Sequence, residues 1–470
     1  MRVTVIGTGY VGTVTGACLA WFGHRVTCVD TDQSKIDRLR AGISPIYEPG
    51  LEELMADAAR RGGLEFTTSL DQPVRESDVV FIAVGTPSLP SGEANLTYLE
   101  TAARSVGTAL TTWGDAEGFR VVVNKSTVPV GSGNLVGALV REGMQAGAHA
   151  DFGVASNPEF LREGSAIHDS FFPDRVVVGA EDRRTLQTMR DLYQPLTAQQ
   201  FTAPAFAARP AGMGEVPFVS TTLTSAEMIK YSANAFLATK IGFANEIANI
   251  CEKVGADVTH VMKGIGLDSR IGAKFLNAGI GWGGSCFGKD IRSLLHTAGE
   301  YGYHARLLET SLAVNEAQRL TVIQKLQDKL KILKGRTIAL LGLAFKPDTD
   351  DLRDAPSLLI AARLVQIGAR VRAFDPVAMD ICRQQNPDLH ITYCDSAEEA
   401  ATGADAAVLV TEWPQFAAID LAAMALKMNR AVLVDGRNLF DPAAARAAGF
   451  DYAGVGRSSP AMAAGNTQAV

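Results

Sequence analysis

The chain has 470 residues, of which 47% are hydrophobic and 20% charged, as in an ordinary soluble globular protein. Its formal net charge of −7 leaves no basic surplus for binding nucleic acid. The length predicts two or three domains, because single cores rarely grow beyond about 250–300 residues. We expect no signal peptide, no membrane span and a cytoplasmic protein, since the chain starts in a strand-like run and has no apolar stretch of about 18 residues.

The cysteines are scattered and form no CxxC pair, so neither a metal site nor a disulfide framework is predicted, in line with a reducing compartment. They are Cys18, Cys28, Cys251, Cys286, Cys382 and Cys394.

A glycine-rich turn follows the first predicted strand. Val3–Ile6 is apolar and β-branched, Gly7-Thr-Gly-Tyr-Val-Gly12 comes directly after it, and a helix to Gly23 leads into a second strand, Arg25–Val29. This context predicts a dinucleotide site, because the glycines permit the turn and the first helical N–H groups bind the pyrophosphate. Asp30 then accepts hydrogen bonds from the adenosine ribose and disfavours a 2′-phosphate. NAD is therefore expected rather than NADP.

Two further predicted strands end in small or hydroxyl residues. Asp78–Val84 leads into Gly85-Thr86-Pro87, and Arg120–Asn124 leads into Lys125-Ser126-Thr127-Val128-Pro129. Strand ends of this kind line the ligand crevice of a parallel sheet. Thr86 and Thr127 are thus candidates for the site, although each could also cap a loop.

The C-terminal third repeats the pattern of apolar strand, glycine turn and strand with Asp. It lacks the full GxGxxG and offers Lys346 where the backbone cradle would lie, so we expect a second nucleotide-type fold that binds different phosphates. The predicted strands are Arg336–Leu341, Arg370–Phe374, Ala404–Thr411 and Arg430–Asp435.

The middle of the chain has helical periodicity. Residues 225–263 and 287–334 read as helical, and Leu307–Leu333 as one long helix of the kind that often forms a dimer interface. Residues 201–222 are rich in Ala, Pro and Gly and read as an irregular loop. The predicted class is α/β, with two Rossmann-like doubly wound domains joined by a central helical domain with a long connecting helix. The expected divisions are an NAD-binding domain over 1–200, a helical domain carrying the reactive cysteine over 201–334, a second nucleotide-type domain over 335–456 and a disordered tail over 457–470.

One cysteine lies in an unusual setting. Cys286 belongs to the run Gly281-Trp-Gly-Gly-Ser-Cys-Phe-Gly-Lys-Asp290, with a lysine and a carboxylate three and four residues on. Glycines let the backbone approach a substrate and present N–H groups to a developing oxyanion, and a nearby cation favours the thiolate. A covalent thio-intermediate is therefore possible. The alternative is a buried cysteine in a tight turn.

Polar residues gather in two other places. Glu159 and Glu163 are four residues apart, and so are Lys230 and Asn234, which share an otherwise apolar helix and so suggest a cleft. With NAD and a nucleophilic thiol, these groups suit oxidation of an alcohol to an aldehyde, then through a thiohemiacetal and thioester to a carboxylate. Lys230 and Asn234 are candidates for stabilising oxyanions, and Glu159, Asp290 and Thr127 for ordering or activating water.

Eight motifs together resemble the UDP-glucose/GDP-mannose dehydrogenase family over almost the whole chain. They are Gly7–Gly12, Val84–Pro87, Ser126–Gly131, Asn157–Gly164, Lys230–Asn234, Phe275–Gly279, Gly283–Cys286 and Gly342–Lys346. The resemblance implies an NAD-dependent, four-electron oxidation of UDP-glucose at C6 to UDP-glucuronate by a homodimer that needs no metal. Cys286 is then the nucleophile, and the division of acid and base duties among Glu159, Lys230 and Asp290 stays open.

The resemblance also implies two sets of contacts, in which Arg270 reaches the substrate across a dimer interface. The residues implied for NAD are Gly7, Gly9, Tyr10, Val11, Gly12, Asp30, Lys35, Thr86, Thr127, Glu163, Lys289 and Arg353. Those implied for the sugar nucleotide are the backbone of Glu159, Phe160, Leu161, Arg162 and Glu163, with Lys230, Asn234, Arg270, Phe275, Leu276, Asn277, Ala278, Gly279, Gly283, Phe345, Lys346 and Arg437.

Position 288 departs from the family pattern. Gly288 stands where relatives commonly carry proline, so a looser backbone is expected next to Lys289. Two alternative functions remain open. The same chemistry could act on GDP-mannose or a UDP-N-acetylhexosamine, or the chain could be a nucleotide-binding protein that keeps the fold without catalysis.

Overall fold

The computed structural model describes residues 1–111, 118–145 and 150–457, so the predicted disordered tail lies outside the described residues except for Arg457. The chain forms two compact units. The first comprises Met1–Ala233 and Arg292–Tyr303, and the second comprises Asn234–Ile291 and the chain from His304 onward.

The first unit is built on an eight-stranded sheet of order β3-β2-β1-β4-β5-β6-β7-β8. Its strands pair in parallel, with β6 and β7 the antiparallel exception. The strands are β1 Arg2–Ile6, β2 Arg25–Val29, β3 Leu64–Thr67, β4 Val79–Ile82, β5 Arg120–Asn124, β6 Phe152–Ser156, β7 Val176–Ala180 and β8 Phe218–Thr221. The helices are α1 Tyr10–Trp21, α2 Gln33–Arg40, α3 Leu51–Arg60, α4 Asp71–Glu76, α5 Thr97–Thr111, α6 Ser132–Gly143, α7 Ala166–Phe171 and α8 Arg183–Thr197.

The central strands of this sheet are covered on both faces. Val79 and Phe81 of β4 belong to one hydrophobic cluster, whereas the alternate residues Val80 and Ile82 belong to another. Successive side chains of a strand point to opposite faces, so a strand buried on both sides is a continuous apolar run. This is why β1, β4 and β5 were recognisable in the sequence.

The segment after α8 is ordered by aromatic packing. Phe201 packs edge-on against Phe22, with ring centroids 4.9 Å apart, and Trp21 Nε1 donates to the Thr202 carbonyl. The chain then pairs β8 in parallel with β7 at the sheet edge. The expectation of an irregular loop over 201–222 is therefore wrong at Phe218–Thr221.

Four helices follow, namely α9 Leu223–Val254, α10 Val258–Gly266, α11 Phe287–Glu300 and α12 Arg306–Leu330. The division between the units falls inside α9 and inside α11. Each predicted helical stretch is interrupted once, near Gly255 and near Gly302, whose φ angles of 82° and 73° are left-handed and do not continue a helix. The long predicted helix is present as α12.

The second unit carries a six-stranded, wholly parallel sheet of order β11-β10-β9-β12-β13-β14. Its strands are β9 Thr337–Leu341, β10 Arg370–Phe374, β11 Thr392–Tyr393, β12 Ala406–Leu409, β13 Val432–Asp435 and β14 Asp451–Gly454. Its remaining helices are α13 Pro356–Ile367, α14 Met379–Gln385, α15 Ala397–Ala401, α16 Leu421–Lys427 and α17 Pro442–Ala447, with a 3₁₀ turn at Pro414–Ala418. Two doubly wound sheets and a helical middle confirm the predicted fold class.

Candidate active site

The three glycines of the first turn have distinct roles. A Cβ on Gly7 would lie 2.6 Å from the Ala83 carbonyl oxygen, and one on Gly12 would lie 1.8 Å from the Gly7 carbonyl oxygen. A Cβ on Gly9, in contrast, would meet nothing within 4 Å. Gly7 and Gly12 therefore allow helix and strand to pack, while Gly9 leaves the start of α1 open to a phosphate.

Asp30 is fixed at the end of β2 by several donors. Its Oδ2 accepts from Thr8 N at 2.9 Å, Thr8 Oγ1 at 2.7 Å and Lys35 Nζ at 3.0 Å. Burial alone would raise the pKa of Asp30, but the donors from Thr8 and Lys35 lower it to about 2. Asp30 is thus ionised, and the described cradle suits NAD. The contact of Asp30 with the ribose hydroxyls stays a prediction.

Thr86 and Thr127 follow adjacent strands and meet. Thr86 Oγ1 donates to the Thr127 carbonyl oxygen at 2.7 Å, and Thr86 is buried. The strand ends therefore converge at one edge of the sheet, as the sequence predicted.

Glu159 and Lys230 form a buried ion pair. Lys230 Nζ lies 2.9 Å from Glu159 Oε1, and the side chains are 5% and 9% exposed respectively. Glu159 Oε2 also accepts from Leu161 N at 2.8 Å, which fixes the loop that carries it. This segment is a loop and not a helix, so Glu159 and Glu163 are not placed by helical spacing.

Phe160 and Arg162 lie on the same loop but face different partners. Lys230 Nζ lies 5.5 Å from the centre of the Phe160 ring. The Arg162 guanidinium pairs with Asp169, with Nη2–Oδ1 at 2.7 Å and Nε–Oδ2 at 2.9 Å. The backbone of Arg162 is engaged as well, because its N–H donates to Asp169 Oδ2 at 2.9 Å and its carbonyl oxygen accepts from Ser165 N at 3.0 Å. The implied backbone contact of Arg162 with the sugar nucleotide stays a prediction.

Cys286 is exposed, whereas the other cysteines are buried and all are free thiols. It directly precedes α11, and its carbonyl oxygen accepts from Asp290 N at 2.9 Å. The N–H groups at a helix start favour negative charge, so this position stabilises a thiolate. The glycines before it are packed tightly, because a Cβ on Gly284 would lie 2.8 Å from the Phe345 ring.

Asp290 links Asn234 to Lys289. Its Oδ2 accepts from Asn234 Nδ2 at 2.6 Å and its Oδ1 from Lys289 Nζ at 2.7 Å, while Asp290 itself is 1% exposed. Both carboxylate oxygens are therefore engaged, and Asp290 orients the amide and the ammonium. Gly288 is buried and lies in the first turn of α11, and Lys289 is held by Asp290 despite the missing proline.

Several residues implied for the sugar nucleotide lie in the second unit, whereas Lys230 and the loop over 159–163 belong to the first. Arg437 Nη1 donates to the Gly281 carbonyl at 3.0 Å, and Nη2 to the Phe345 carbonyl at 3.4 Å. The Gly279 N–H donates to Asn245 Oδ1 at 2.8 Å. Phe275 has a φ of 64°, a conformation that non-glycine residues adopt rarely and most often at functional sites. In the same loop Leu276, Ala278 and Gly279 are buried and Asn277 is exposed.

Two implied arginines are exposed and paired locally. Arg270 Nη2 lies 2.6 Å from Asp268 Oδ2, and Arg353 Nη2 lies 2.6 Å from Asp351 Oδ2. Their roles stay predictions. Of the implied set, the structure brings Glu159 to Lys230, Thr86 to Thr127, Asn234 and Lys289 to Asp290, and Arg437 to Phe345.

Some buried polar residues beside these groups had no assigned role. Asn245 supports Gly279, Glu48 bonds to Tyr10, and Lys125 bonds to Asn157. Lys125 follows an apolar strand directly, which is the one sequence signal that could have marked it.

Two nucleotide-type sheets, a glycine turn closed by an acidic strand end and an exposed cysteine at a helix start define an NAD-dependent dehydrogenase. Sequence profiles of the UDP-glucose/GDP-mannose dehydrogenase family match its NAD binding domain to residues 1–197, its central domain to 224–317 and its UDP binding domain to 339–442. The chain belongs to this family.

Three relatives illustrate the similarity. UDP-glucose 6-dehydrogenase YwqF of Bacillus subtilis (strain 168) is 46% identical over 98% of both chains. The structure of a UDP-glucose dehydrogenase from Pyrobaculum islandicum superposes with a TM-score of 0.86 at 39% identity, covering 97% of each chain. A UDP-D-ManNAc dehydrogenase from Pyrococcus horikoshii gives a TM-score of 0.80 at 26% identity, covering 97% of this chain and 99% of its own.

Within the described residues, no helix has the combined length and apolar character to cross a bilayer. In that same part of the chain, His, Cys, Asp and Glu side chains form no group of three or more that could hold a metal ion.

Proposed function

We propose that this protein oxidises UDP-glucose at C6 to UDP-glucuronate in two successive two-electron steps. NAD, when bound at the GTGYVG turn, supplies the hydride acceptor for each step. The observation that carries the proposal is the exposed Cys286 thiol at the start of α11, in a unit whose UDP binding domain matches the family. An alcohol dehydrogenase that stops at the aldehyde has no need of such a thiol.

The chain's own residues supply the remaining chemistry. The Cys286 thiolate adds to the C6 aldehyde and gives a thiohemiacetal, whose oxidation gives a thioester. Water then releases the carboxylate and regenerates the thiol. Lys230 and Asn234 stabilise the oxyanions, and Glu159, Asp290 and Thr127 order or activate water.

The ion pair of Glu159 and Lys230 supports this assignment. A protonated lysine is an electrostatic partner for a developing oxyanion, and a carboxylate within hydrogen-bond reach takes up or returns a proton. One N–H of the Asn234 amide donates to Asp290, which fixes the orientation of the amide. That contact leaves the Asn234 carbonyl oxygen and the second amide hydrogen for other partners.

The sugar is proposed from similarity. Relatives named for UDP-glucose share 46% and 39% identity with this chain, and the relative named for UDP-D-ManNAc shares 26%. GDP-mannose and UDP-N-acetylhexosamines remain the alternatives, and a turnover panel of these sugar nucleotides separates them.

The deciding experiment is the yield of NADH per mole of UDP-glucose with excess NAD. Two NADH per sugar support the proposal, and one would mean an enzyme that stops at the aldehyde. Cys286→Ser provides the matched variant, because it keeps size and polarity but removes the nucleophile, and it should form no UDP-glucuronate. A complete absence of turnover on the whole panel would favour a nucleotide-binding protein without catalysis.

We also propose a homodimer formed through α9. This helix of 32 residues exposes Phe236, Phe243 and Ile250 at seven-residue intervals, with Val254 one turn further on. Their exposed fractions are 66%, 48%, 49% and 60%. Such a stripe suits packing against the same stripe of a second copy, since a two-fold interface is self-complementary.

Light scattering during gel filtration tests the dimer. Phe243→Asp should convert a species of twice the chain mass into the monomer, whereas Leu426→Asp, at a residue that is 88% exposed in the other half of the chain, should not. A dimer also gives Arg270 a route to the partner's substrate, as the family resemblance implies.

Free thiols throughout agree with a reducing compartment, and we propose that the enzyme acts in the cytoplasm.

A further inference from the structure

Glu48 is a buried carboxylate that the proposed chemistry does not use. It lies in the turn before α3, is 7% exposed and bonds to residues distant in the chain. Its Oε2 accepts from the Tyr10 hydroxyl and from Gly164 N, the latter at 2.7 Å, and its Oε1 accepts from Ile167 N at 3.3 Å. The Tyr10 hydroxyl also accepts from Gly164 N at 2.8 Å.

These bonds connect the segment implied to bind the cofactor to a loop implied to contact the sugar nucleotide. Tyr10 is the first residue of α1 within the GTGYVG turn, where NAD is expected to bind. Gly164 closes the Asn157–Gly164 loop, whose backbone is implied to contact the sugar nucleotide, and Ile167 lies in the following helix, α7. Glu48 is therefore bonded to the cofactor segment on one side and to the substrate segment on the other.

The network is polar and enclosed, so its loss is costly. Burial raises the pKa of the Glu48 carboxyl, while the hydrogen bonds from Tyr10, Gly164 and Ile167 oppose that rise. Burial and the Glu48 carboxylate raise the pKa of the Tyr10 hydroxyl, which stays protonated and donates. A buried acceptor with several convergent donors holds its neighbours in one geometry.

We propose that Glu48 is a positioning residue that makes NAD binding and sugar-nucleotide binding mutually dependent. A ligand that orders the GTGYVG turn also orders Tyr10, and through Glu48 it orders the loop ending at Gly164. The second ligand then binds to a loop that is already ordered, so its binding does not include the entropic cost of ordering that loop. The same argument applies when the two ligands bind in the opposite order. This inference rests on the proposed function, because it takes the loop to be part of the sugar-nucleotide site.

The test uses NADH with UDP-glucose, a pair that cannot react because the cofactor is already reduced. The dissociation constant of NADH is measured by its fluorescence with and without saturating UDP-glucose, on the full-length protein. The wild type should bind NADH about 5- to 150-fold more tightly when UDP-glucose is present. Glu48→Gln keeps the size of the side chain but loses the charged acceptor, and its ratio should fall to within about twofold of one.

Two variants complete the design. Tyr10→Phe removes the link to the turn but leaves Glu48 bonded to Gly164 and Ile167. The ratio of NADH dissociation constants without and with UDP-glucose should therefore also decrease in this variant. If Glu48→Gln is not folded, Tyr10→Phe decides the test. Glu52→Gln is the matched control, because Glu52 lies in the first turn of α3 and accepts from Ser44 N at 2.9 Å. Among the described residues it is not one of the partners bonded to Tyr10 or Gly164. It should keep the wild-type ratio.

The inference is overturned if UDP-glucose does not change the dissociation constant of NADH in the wild type. It is also overturned if Glu48→Gln and Tyr10→Phe both keep the same ratio of dissociation constants as the wild type. Failure of the proposed function is a separate outcome, seen as absent UDP-glucose turnover by the wild type. In that case the titration with whichever sugar nucleotide the turnover panel identifies decides the inference.

Discussion

Lys230 and Glu159 form an ion pair with both side chains less than a tenth exposed, at a separation of 2.9 Å. Burying two charges has a desolvation penalty that is about as large as their mutual attraction. The pair therefore need not make a net contribution to the stability of the fold. Removing one partner, however, leaves an uncompensated buried charge. A net gain in stability therefore does not account for the pair, and its structural and catalytic contributions are separable by mutation.

Lys230→Met should lower the free energy of unfolding by about 3–5 kcal/mol, because Glu159 loses its cation in a buried position. The double variant Lys230→Met/Glu159→Gln should recover much of that loss, while its kcat stays low. Glu159→Gln alone should reduce kcat by about 10²–10⁴ if it transfers a proton. Denaturant unfolding and steady-state kinetics on the four proteins measure both effects. An unchanged kcat in Glu159→Gln would remove it from the mechanism.

Cys286 should be the one cysteine that iodoacetamide modifies in the native enzyme. The other cysteines are at most 3% exposed, and burial raises the pKa of Cys18 and Cys28 to about 12, which depletes their thiolates. Mass spectrometry should find one label per chain in the wild type and none in Cys286→Ser. UDP-glucose should slow the labelling if the thiol lies at the substrate. Labelling of Cys286→Ser in its folded state would contradict the burial of the other thiols.

The buried strands and the motif-bearing turns could be predicted from sequence, but the contacts between distant segments could not. β2, β5 and β10 begin and end where the apolar, β-branched runs do. β8 was missed because it is a half-exposed edge strand of four residues without alternation. Such a short segment becomes a strand only when a neighbour such as β7 pairs with it.

The same limit applies within the site. The roles expected for Asp30 and Cys286 follow from their positions after a strand and before a helix. Glu48 is separated from Tyr10 by 38 residues and from Gly164 by 116, so no local pattern joins them. Its own neighbours, Pro49 and Gly50, indicate only a turn.

Asp30→Asn should raise the KM for NAD by about tenfold and weaken discrimination against NADP. The change removes a charged acceptor for ribose hydroxyls, worth about 1.5–3 kcal/mol, and frees Lys35. Because donors from Thr8 and Lys35 lower the pKa of Asp30 to about 2, the group stays ionised throughout neutral conditions. The ratio of variant to wild-type KM should therefore be constant between about pH 5 and 9. A ratio that changes severalfold in this range would show that Asp30 titrates there.

Lys125 places a second cation close behind the loop that carries Glu159. It is 8% exposed, and its Nζ donates to Asn157 Oδ1 at 3.1 Å, an oxygen that also accepts from the Tyr193 hydroxyl at 2.6 Å. Burial lowers the pKa of Lys125 to about 8, with Glu159 opposing that shift and Lys230 adding to it. The lysine thus loses its proton near the upper end of the physiological range.

The sign of the stability effect follows from proton uptake. Between about pH 8 and 10.5 the unfolded chain keeps the Lys125 proton and the folded protein has lost it, so the contribution of this group rises with pH across that window. Below about pH 8 both states are protonated and the cost of the buried charge is present in full. The total gain is at most about 3 kcal/mol, from the size of the pKa difference.

Lys125→Met should therefore abolish this gain. Relative to the variant, the wild type should become more stable from pH 7.5 to 10 by up to about 3 kcal/mol, as measured by urea unfolding at each pH. Lys125→Arg is the matched control, because arginine preserves the charge and keeps its proton through this range. The pH dependence of its free energy of unfolding should therefore have the same slope as that of Lys125→Met. Parallel curves for the wild type and both variants would show that Lys125 does not titrate in this window. Only the wild-type amine loses its charge here, so the slope isolates this one buried group from the tyrosines that titrate at higher pH.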